Sequence, residues 1–207
     1  MSVRSAIIGQ FRCPHGLLGR LAGSIMANRP SNRARNAWTV GLLGLGPTDR
    51  VLEIGCGPGL GLAAALAQAQ RGHALGLDHS PLMIAQAARA NRAALEEGRL
   101  SLLCAGLPSL ELIAGPFDKA FAINVLQFVP VSARRDALVR LRAILAPGGR
   151  IAVTFQPRLT GAAAKAAHDF AAALSGELAA AGFGGIRTEQ LDLEPAPAVC
   201  VLAAAPR

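Results

Sequence analysis

The stretch Val51-Leu52-Glu53-Ile54-Gly55-Cys56-Gly57-Pro58-Gly59-Leu60-Gly61 decides the fold. It follows the turn Gly46-Pro47-Thr48-Asp49, begins as an apolar strand and ends by opening a helix. Glycines at such a junction allow a tight turn and let a ligand approach the backbone with no Cβ in the way. The helix start that follows exposes amide donors. A loop of this kind marks a nucleotide-type site at the carboxyl ends of the strands. It is not the dinucleotide fingerprint G-x-G-x-x-G, because the last position falls on Leu60 when read from Gly55 and on Leu62 when read from Gly57. The phosphate-gripping G-x-x-x-x-G-K-[ST] is absent as well. The pattern is E-x-G-x-G-x-G from Glu53, and the strand-end acid with Pro58 points to a ligand that has no pyrophosphate to hold. Nineteen residues beyond Gly59, Asp78 closes the next apolar run. A carboxylate there accepts hydrogen bonds from both hydroxyls of a ribose.

Outward from this loop the chain alternates between strand and helix. Strands are expected at 50–54, 74–77, 100–104, 119–124, 150–155, 186–193 and 198–204. Helices are expected at 59–70, 80–97, 132–145 and 161–181, with Ser80 as N-cap and Pro81 at the first helical position. Alternation of this kind implies a parallel sheet covered on both faces by helices. Only a proline-bearing turn separates the last two strands, so they pair antiparallel, because parallel neighbours need a long crossover. Before the glycine loop, Leu17, Leu18, Leu21, Ala22, Ile25 and Met26 recur at helical spacing over 15–28, ending at Arg29-Pro30. Ser31 or Asn32 caps a second helix running to about residue 45. The expectation is a helical N-terminal extension, 1–45, that acts as a lid on a domain at 46–207.

Composition bounds the class. With 207 residues, 52% of them apolar, the chain builds one domain with a real core and is not intrinsically disordered. Four scattered cysteines exclude a disulfide scaffold and point to a reducing compartment, the cytoplasm by default. Arg4, Arg12, Arg20 and Arg29 are spread along the start, where a secretory leader would follow a basic start with an apolar run. The net charge of +8 is uneven, since no acid precedes Asp49 and six arginines do. A basic arm meets phosphates or anionic lipid by electrostatics, and a solvated extension is the plainer reading.

Further motifs stand in a consistent order. Asp78 is followed by Ser80 and Met83, Phe117-Asp118-Lys119 precedes the fourth strand, Asn124-Val125-Leu126-Gln127-Phe128 follows it, and Leu145-Ala146-Pro147-Gly148-Gly149-Arg150 leads into the fifth. Together with Glu53–Gly61 they resemble the class I S-adenosylmethionine-dependent methyltransferases of the small-molecule "type 11" kind, over about residues 40–204. The resemblance implies an α/β, Rossmann-like, doubly wound seven-stranded sheet whose last strand is antiparallel. It implies S-adenosylmethionine as cofactor and S-adenosylhomocysteine as product. It places Glu53, Gly55, Cys56, Gly57 and Gly59 against the methionine part, Asp78 at the ribose, and His79 and Met83 beside the adenine. Ala105, Gly106 and Leu107 would line the adenine edge, and Asn124, Val125 and Gln127 would lie under the sulfonium. One departure stands out: many relatives carry an acid near position 105, and this chain has Cys104-Ala105-Gly106.

Methyl transfer asks the protein mainly to position two partners, with a base needed only if the acceptor must lose a proton. His15 and Gln127 are the catalytic candidates by location, and no metal site is expected. Cys104 and Cys200 fall in expected strands and read as buried. A small, rather apolar acceptor is expected, with Phe11, Leu17 and Trp38 covering it and Phe128, Gln156 and Arg158 facing it. Two alternatives stay open: a phospholipid or lipid precursor methylated at the membrane surface through contact of the 15–28 helix, and a protein that binds the cofactor without transfer. No nucleic acid is expected, because the basic arm offers only Phe11 and Trp38 for stacking on bases.

Overall fold

The computed structural model describes residues 29–157 and 163–207. The expectations for the 15–28 helix, for Phe11, His15 and Leu17, and for Arg158 therefore lie outside the described residues. Helix α1 spans Pro30–Leu43. Pro30 is its first residue, because proline's fixed φ and missing N–H suit the first helical position. Arg29 occupies the cap position with no side-chain bond, so neither Ser31 nor Asn32 is the cap. Strand β1 (Arg50–Ile54) leads through the glycine loop into α2 (Leu60–Gln68), followed by β2 (His73–Asp78). Ser80 caps α3 (Pro81–Ala90) as expected, accepting the Met83 N–H at 3.4 Å. The single helix expected over 80–97 is broken at Asn91, and a short α4 (Arg92–Glu96) follows. Next come β3 (Leu100–Cys104), β4 (Phe117–Ile123), α5 (Val131–Ile144) and β5 (Leu145–Phe155). Strand β5 begins earlier than expected, taking in Pro147-Gly148-Gly149 as an irregularity opposite residues 117–119. Helix α6 (Ala163–Ala180), β6 (Gly184–Leu191) and β7 (Ala198–Ala204) complete the fold.

The strands form one seven-stranded sheet in the order β3-β2-β1-β4-β5-β7-β6. The first five are parallel, and β7 runs antiparallel to both β5 and β6. Successive side chains on a strand alternate between faces, and the core divides accordingly. Ala120, Ala122, Ile151, Val153, Val199 and Val201 pack with α5 and α6. Phe121, Ile123, Ala152, Cys200 and Leu202 pack on the other face with Val40 and Leu43 of α1 and with α2. Trp38 packs against this second cluster and does not line the cleft described below. Cys200 is buried, but Cys104 is exposed, because β3 is the edge strand.

The order has one functional consequence. The chain steps outward from β1 to β3, then returns to build β4 and β5 on the other side. The loops after β1 and β4 therefore diverge, leaving a crevice outside the carboxyl ends of those strands. Among the described residues, no helix is long and apolar enough to cross a membrane.

Candidate active site

The crevice is a cleft of about 580 Å³, and the glycine loop forms its floor. Gly55 N and Cys56 N both donate to Leu77 O, at 2.7 and 2.9 Å, which ties the loop to the end of β2. Gly55 has φ 68°, and a Cβ there would lie 2.3 Å from Val125 Cγ2. Glycine is thus required for conformation and for the close approach of the β4 loop. Gly57 has φ 52°, yet a Cβ there would meet nothing within 4 Å. The space above Gly57 is open cleft. Asn91 secures the far end of the loop, donating to Gly59 O at 3.1 Å and to Ala87 O at 3.0 Å.

Asp78 gathers the loop from the side. Its Oδ2 accepts the Gly57 N–H and its Oδ1 the Ser80 N–H, both at 2.9 Å. A carboxylate has about four lone-pair positions, so capacity remains on the cleft side. His79 is half exposed beside it, with Nδ1 3.7 Å from Asp78 Oδ1. Ala105 N donates to Asp78 O at 2.9 Å, so the segment lacking the relatives' acid is placed by the main chain.

Glu53 lies one layer deeper and is 2% exposed. Burial holds its carboxyl well above the ordinary value of 4.5; the Leu62 amide at the start of α2 pulls the other way, and Asp78 adds a further upward push. A Cβ on Gly61 would fall 2.3 Å from Glu53 Oε1, so Gly61 makes room for this acid. Glu53 Oε2 is buried with no hydrogen-bond partner, and Glu53 lines the cleft. A buried acceptor of this kind suits a ligand that brings a donor. With the open space above Gly57, it suits the aminoacyl end of the cofactor that the family resemblance implies. The Cys56 thiol is pushed upward by its burial, then by Glu53 and Asp78, and stays protonated at neutral pH.

The opposite wall is built from side chains. Helix α1 buries Arg35, Asn36 and Thr39 in line with Val40 and Leu43. Arg35 donates from Nη1 to Gln156 Oε1 and from Nη2 to Asn32 Oδ1, the latter at 2.9 Å. Thr39 Oγ1 shares a hydrogen bond of 2.7 Å with Thr154 Oγ1, which pins α1 to β5. Gln156 Nε2 donates to Ala196 O at 2.9 Å and to Glu194 O at 3.3 Å. Phe128, Val129, Leu107 and Pro195 give this end of the cleft an apolar flank. The turn carrying Phe128 and Val129 is braced from behind. Arg134 donates to Leu126 O and Val129 O at 3.2 and 3.3 Å, and makes a bidentate pair with Glu177 at 2.6 Å, both side chains being buried.

Of the residues singled out from sequence, Glu53, Gly55, Cys56, Gly57, Asp78, His79, Met83, Ala105, Gly106, Leu107, Asn124, Val125, Phe128 and Gln156 all line the cleft. Gly59 shapes the loop from beneath it. Gln127 does not line the cleft, because the turn after β4 directs Val125, Phe128 and Val129 there instead. Sequence reasoning overlooked Arg29, Asn32, Arg35 and Asn36. The available signal was the spacing of Arg35, Asn36 and Thr39, which carries the apolar stripe of Val40 and Leu43 on as a polar one.

A family model described as "Methyltransferase domain" matches residues 51–149. YdaC of Bacillus subtilis, an uncharacterized methyltransferase, is 29% identical over 186 residues, spanning 90% of this chain and 98% of that protein. The chain spans less of other curated relatives, such as 39% of an O-methyltransferase of Pyrenophora dematioidea that is 32% identical over 107 residues. Among solved structures, the N-methyltransferase NodS of Bradyrhizobium japonicum, in complex with S-adenosylhomocysteine, superposes with a TM-score of 0.67 at 18% identity, covering 87% of this chain and 90% of that one. The sheet order, the glycine loop seated against Asp78 and these likenesses agree: residues 51–149 match a methyltransferase domain, and the chain is similar in sequence and fold to the class I S-adenosylmethionine-dependent methyltransferases.

Proposed function

We propose that the chain binds S-adenosylmethionine on the β1–β2 side of the cleft and methylates a small organic acceptor held between α1 and the β4–β5 loops. The observation that carries this reading is the open space above Gly57 in a cleft that two acids line, Asp78 and a Glu53 with an unpartnered buried oxygen. Glu53 Oε2 accepts from the ammonium of the cofactor, and Asp78 accepts from its ribose hydroxyls. His79 and Met83 flank the adenine, with Ala105, Gly106 and Leu107 along its edge. Asn124 and Val125 border the reacting centre. When bound, the cofactor supplies a methyl group made electrophilic by the positive sulfur. The protein's part is to hold the acceptor in line with that group and to exclude water. Phe128, Val129, Leu107 and Pro195 support a reading in which the acceptor has an apolar body.

Calorimetric titration with S-adenosylmethionine, S-adenosylhomocysteine and NAD tests the cofactor assignment. Micromolar binding of both sulfur nucleotides and none of NAD is expected. Failure of both to bind would refute it. Binding without methyl release to any acceptor would favour a cofactor-binding protein that does not transfer.

A further inference from the structure

Asn124 has a φ of 57°, the one positive value at a non-glycine residue among those described. Its backbone N–H donates to Thr154 O at 2.8 Å. Its side chain folds back so that Oδ1 accepts the Gln156 backbone N–H, also at 2.8 Å. A backbone N–H can only donate, so this partner identifies the carboxamide oxygen and leaves the Nδ2 amino group as the other branch. Asn124 lines the cleft next to Val125, whose Cγ2 lies against Gly55. This cleft-lining side chain therefore has a donor group as the branch not bound to Gln156.

The neighbouring wall has the same polarity. Gln156 Oε1 and Asn32 Oδ1 both accept from Arg35, and Gln156 Nε2 is committed to the carbonyls of Glu194 and Ala196. These amide oxygens are used within the protein. Asn36 is the exception, since its Nδ2 donates to Asn32 O and its own oxygen is left over. Arg29 and Arg35 add positive charge along the lining. The carboxylates among the described lining residues are Glu53 and Asp78, both on the cofactor side.

We infer that the acceptor is a small carboxylic acid methylated on a carboxylate oxygen, and that Asn124 selects it by donating to that oxygen. The inference rests on the cofactor reading above. A donor-bearing wall favours an oxygen anion over an amine, whose N–H groups and positive charge would meet Asn124 Nδ2 and the arginines. Ionisation then separates carboxylates from phenols. A phenol with a pKa of about 10 is roughly 0.1% ionised at pH 7, whereas a carboxyl with a pKa near 4 is almost wholly ionised. The described acceptor-side lining supplies no base to make up that difference. A carboxylate needs none. Its oxygen lone pair forms the new O–C bond as the C–S bond breaks, the bonding pair stays on sulfur, and anion plus sulfonium become ester plus thioether with no proton moved.

The test uses the full chain loaded with S-adenosylhomocysteine and titrated by calorimetry with matched probes, benzoate against benzylamine and hexanoate against hexylamine. The acids should bind about tenfold or more tightly than the amines, the change expected of one hydrogen bond to a charged group. Asn124→Asp keeps an oxygen for the Gln156 N–H and exchanges the amino group for a second oxygen. It should lower the acid-to-amine ratio by about tenfold or reverse it. Because the new carboxylate also acts by its charge, Asn124→Gly is the uncharged control: glycine accepts the φ of 57°, and the ratio should fall with it too, whereas a residue that merely held the loop would leave the ratio unmoved. Equal or tighter binding of the amines to the wild-type protein would overturn the inference even if the variant failed to fold. So would acids that do not bind, or a ratio indifferent to Asn124→Asp. Loss of S-adenosylhomocysteine binding itself is read separately, and it would take the cofactor reading down first and this inference with it.

Discussion

On the β1–β2 side of the cleft, Asp78 draws in two main-chain amides at 2.9 Å and glycine supplies the floor. On the β4–β5 side, Arg35 reaches Gln156 across 121 residues of sequence, and Asn124 reaches the Gln156 amide across 32. Backbone binds a fixed ligand well, because its groups are placed by the fold and vary little with side-chain identity. Side chains bring chemistry that changes with one substitution. The difference teaches where each kind of failure should appear: changes behind the β4–β5 wall should cost stability, and changes in the glycine loop should cost binding.

The largest effect should come from Arg134→Met. It strands Glu177 in the interior and releases the Leu126 and Val129 carbonyls, at a cost of about 3–5 kcal/mol. At about 2–4 °C per kcal/mol, the melting temperature should fall by roughly 6–20 °C. Pairing the change with Glu177→Leu should recover much of the loss, and a single variant that melts like the parent would break the comparison.

Gly57→Val is next, and it should act on binding more than on folding. The side chain enters open cleft, so S-adenosylhomocysteine affinity should drop by about a hundredfold or more, roughly 2.7 kcal/mol. The stability cost should be limited to the left-handed backbone, about 1–2 kcal/mol. Gly55→Val sharpens the contrast, because Val125 already occupies that space and both properties should suffer. Calorimetry and thermal melts on the two variants separate the cases.

Asp78→Asn should weaken S-adenosylhomocysteine binding by about tenfold to a hundredfold. An amino group then faces one of two backbone donors, each bond to a charged acceptor contributing about 1.5–3 kcal/mol. The measurement is the dissociation constant, and an unchanged value would move the ribose away from Asp78.

The smallest effect, and one of opposite sign, is expected for Glu53→Gln. Burial raises the carboxyl pKa in the folded protein, so folding takes up a proton between the ordinary value of 4.5 and the raised one. The contribution of the protonated form is complete below 4.5 and is lost as pH rises through the folded value. The neutral amide avoids that loss. The ligand-free variant should match the parent at pH 4 and gain on it progressively above, while binding the cofactor less well. Melting curves across pH check the sign, and a variant less stable than the parent at pH 8 would contradict it.

The β1–β2 side of the cleft was legible because its instructions are local. Glu53 through Gly61 is contiguous, and Asp78 lies one helix and one strand away. The β4–β5 side was less legible because its residues meet only through the fold. Nothing near Arg134 announces Glu177, and nothing near Arg35 announces Gln156. Strand positions were read well where apolar runs were unbroken, as for β1, β3 and β7. They were read short at β5, where Pro147-Gly148-Gly149 carries turn chemistry inside a strand that tolerates it at an irregular pairing. The break at Asn91 was missed because its cause is tertiary: the side chain leaves the helix pattern to hold Gly59 O.

The placement of β7 governs how the sheet is completed in time. This strand follows β5 and β6 in sequence yet lies between them. Until residues 198–204 are in place, Arg150–Phe155 presents an open ladder and β6 has no sheet to join. The missing piece, Ala198-Val199-Cys200-Val201-Leu202-Ala203, is uncharged and wholly apolar. A nascent or heat-loosened chain thus exposes a sticky segment and the edge that best receives it, and a second chain can fill that slot before the first one does. Loss of the native protein on heating should accordingly be faster and less reversible at high protein concentration.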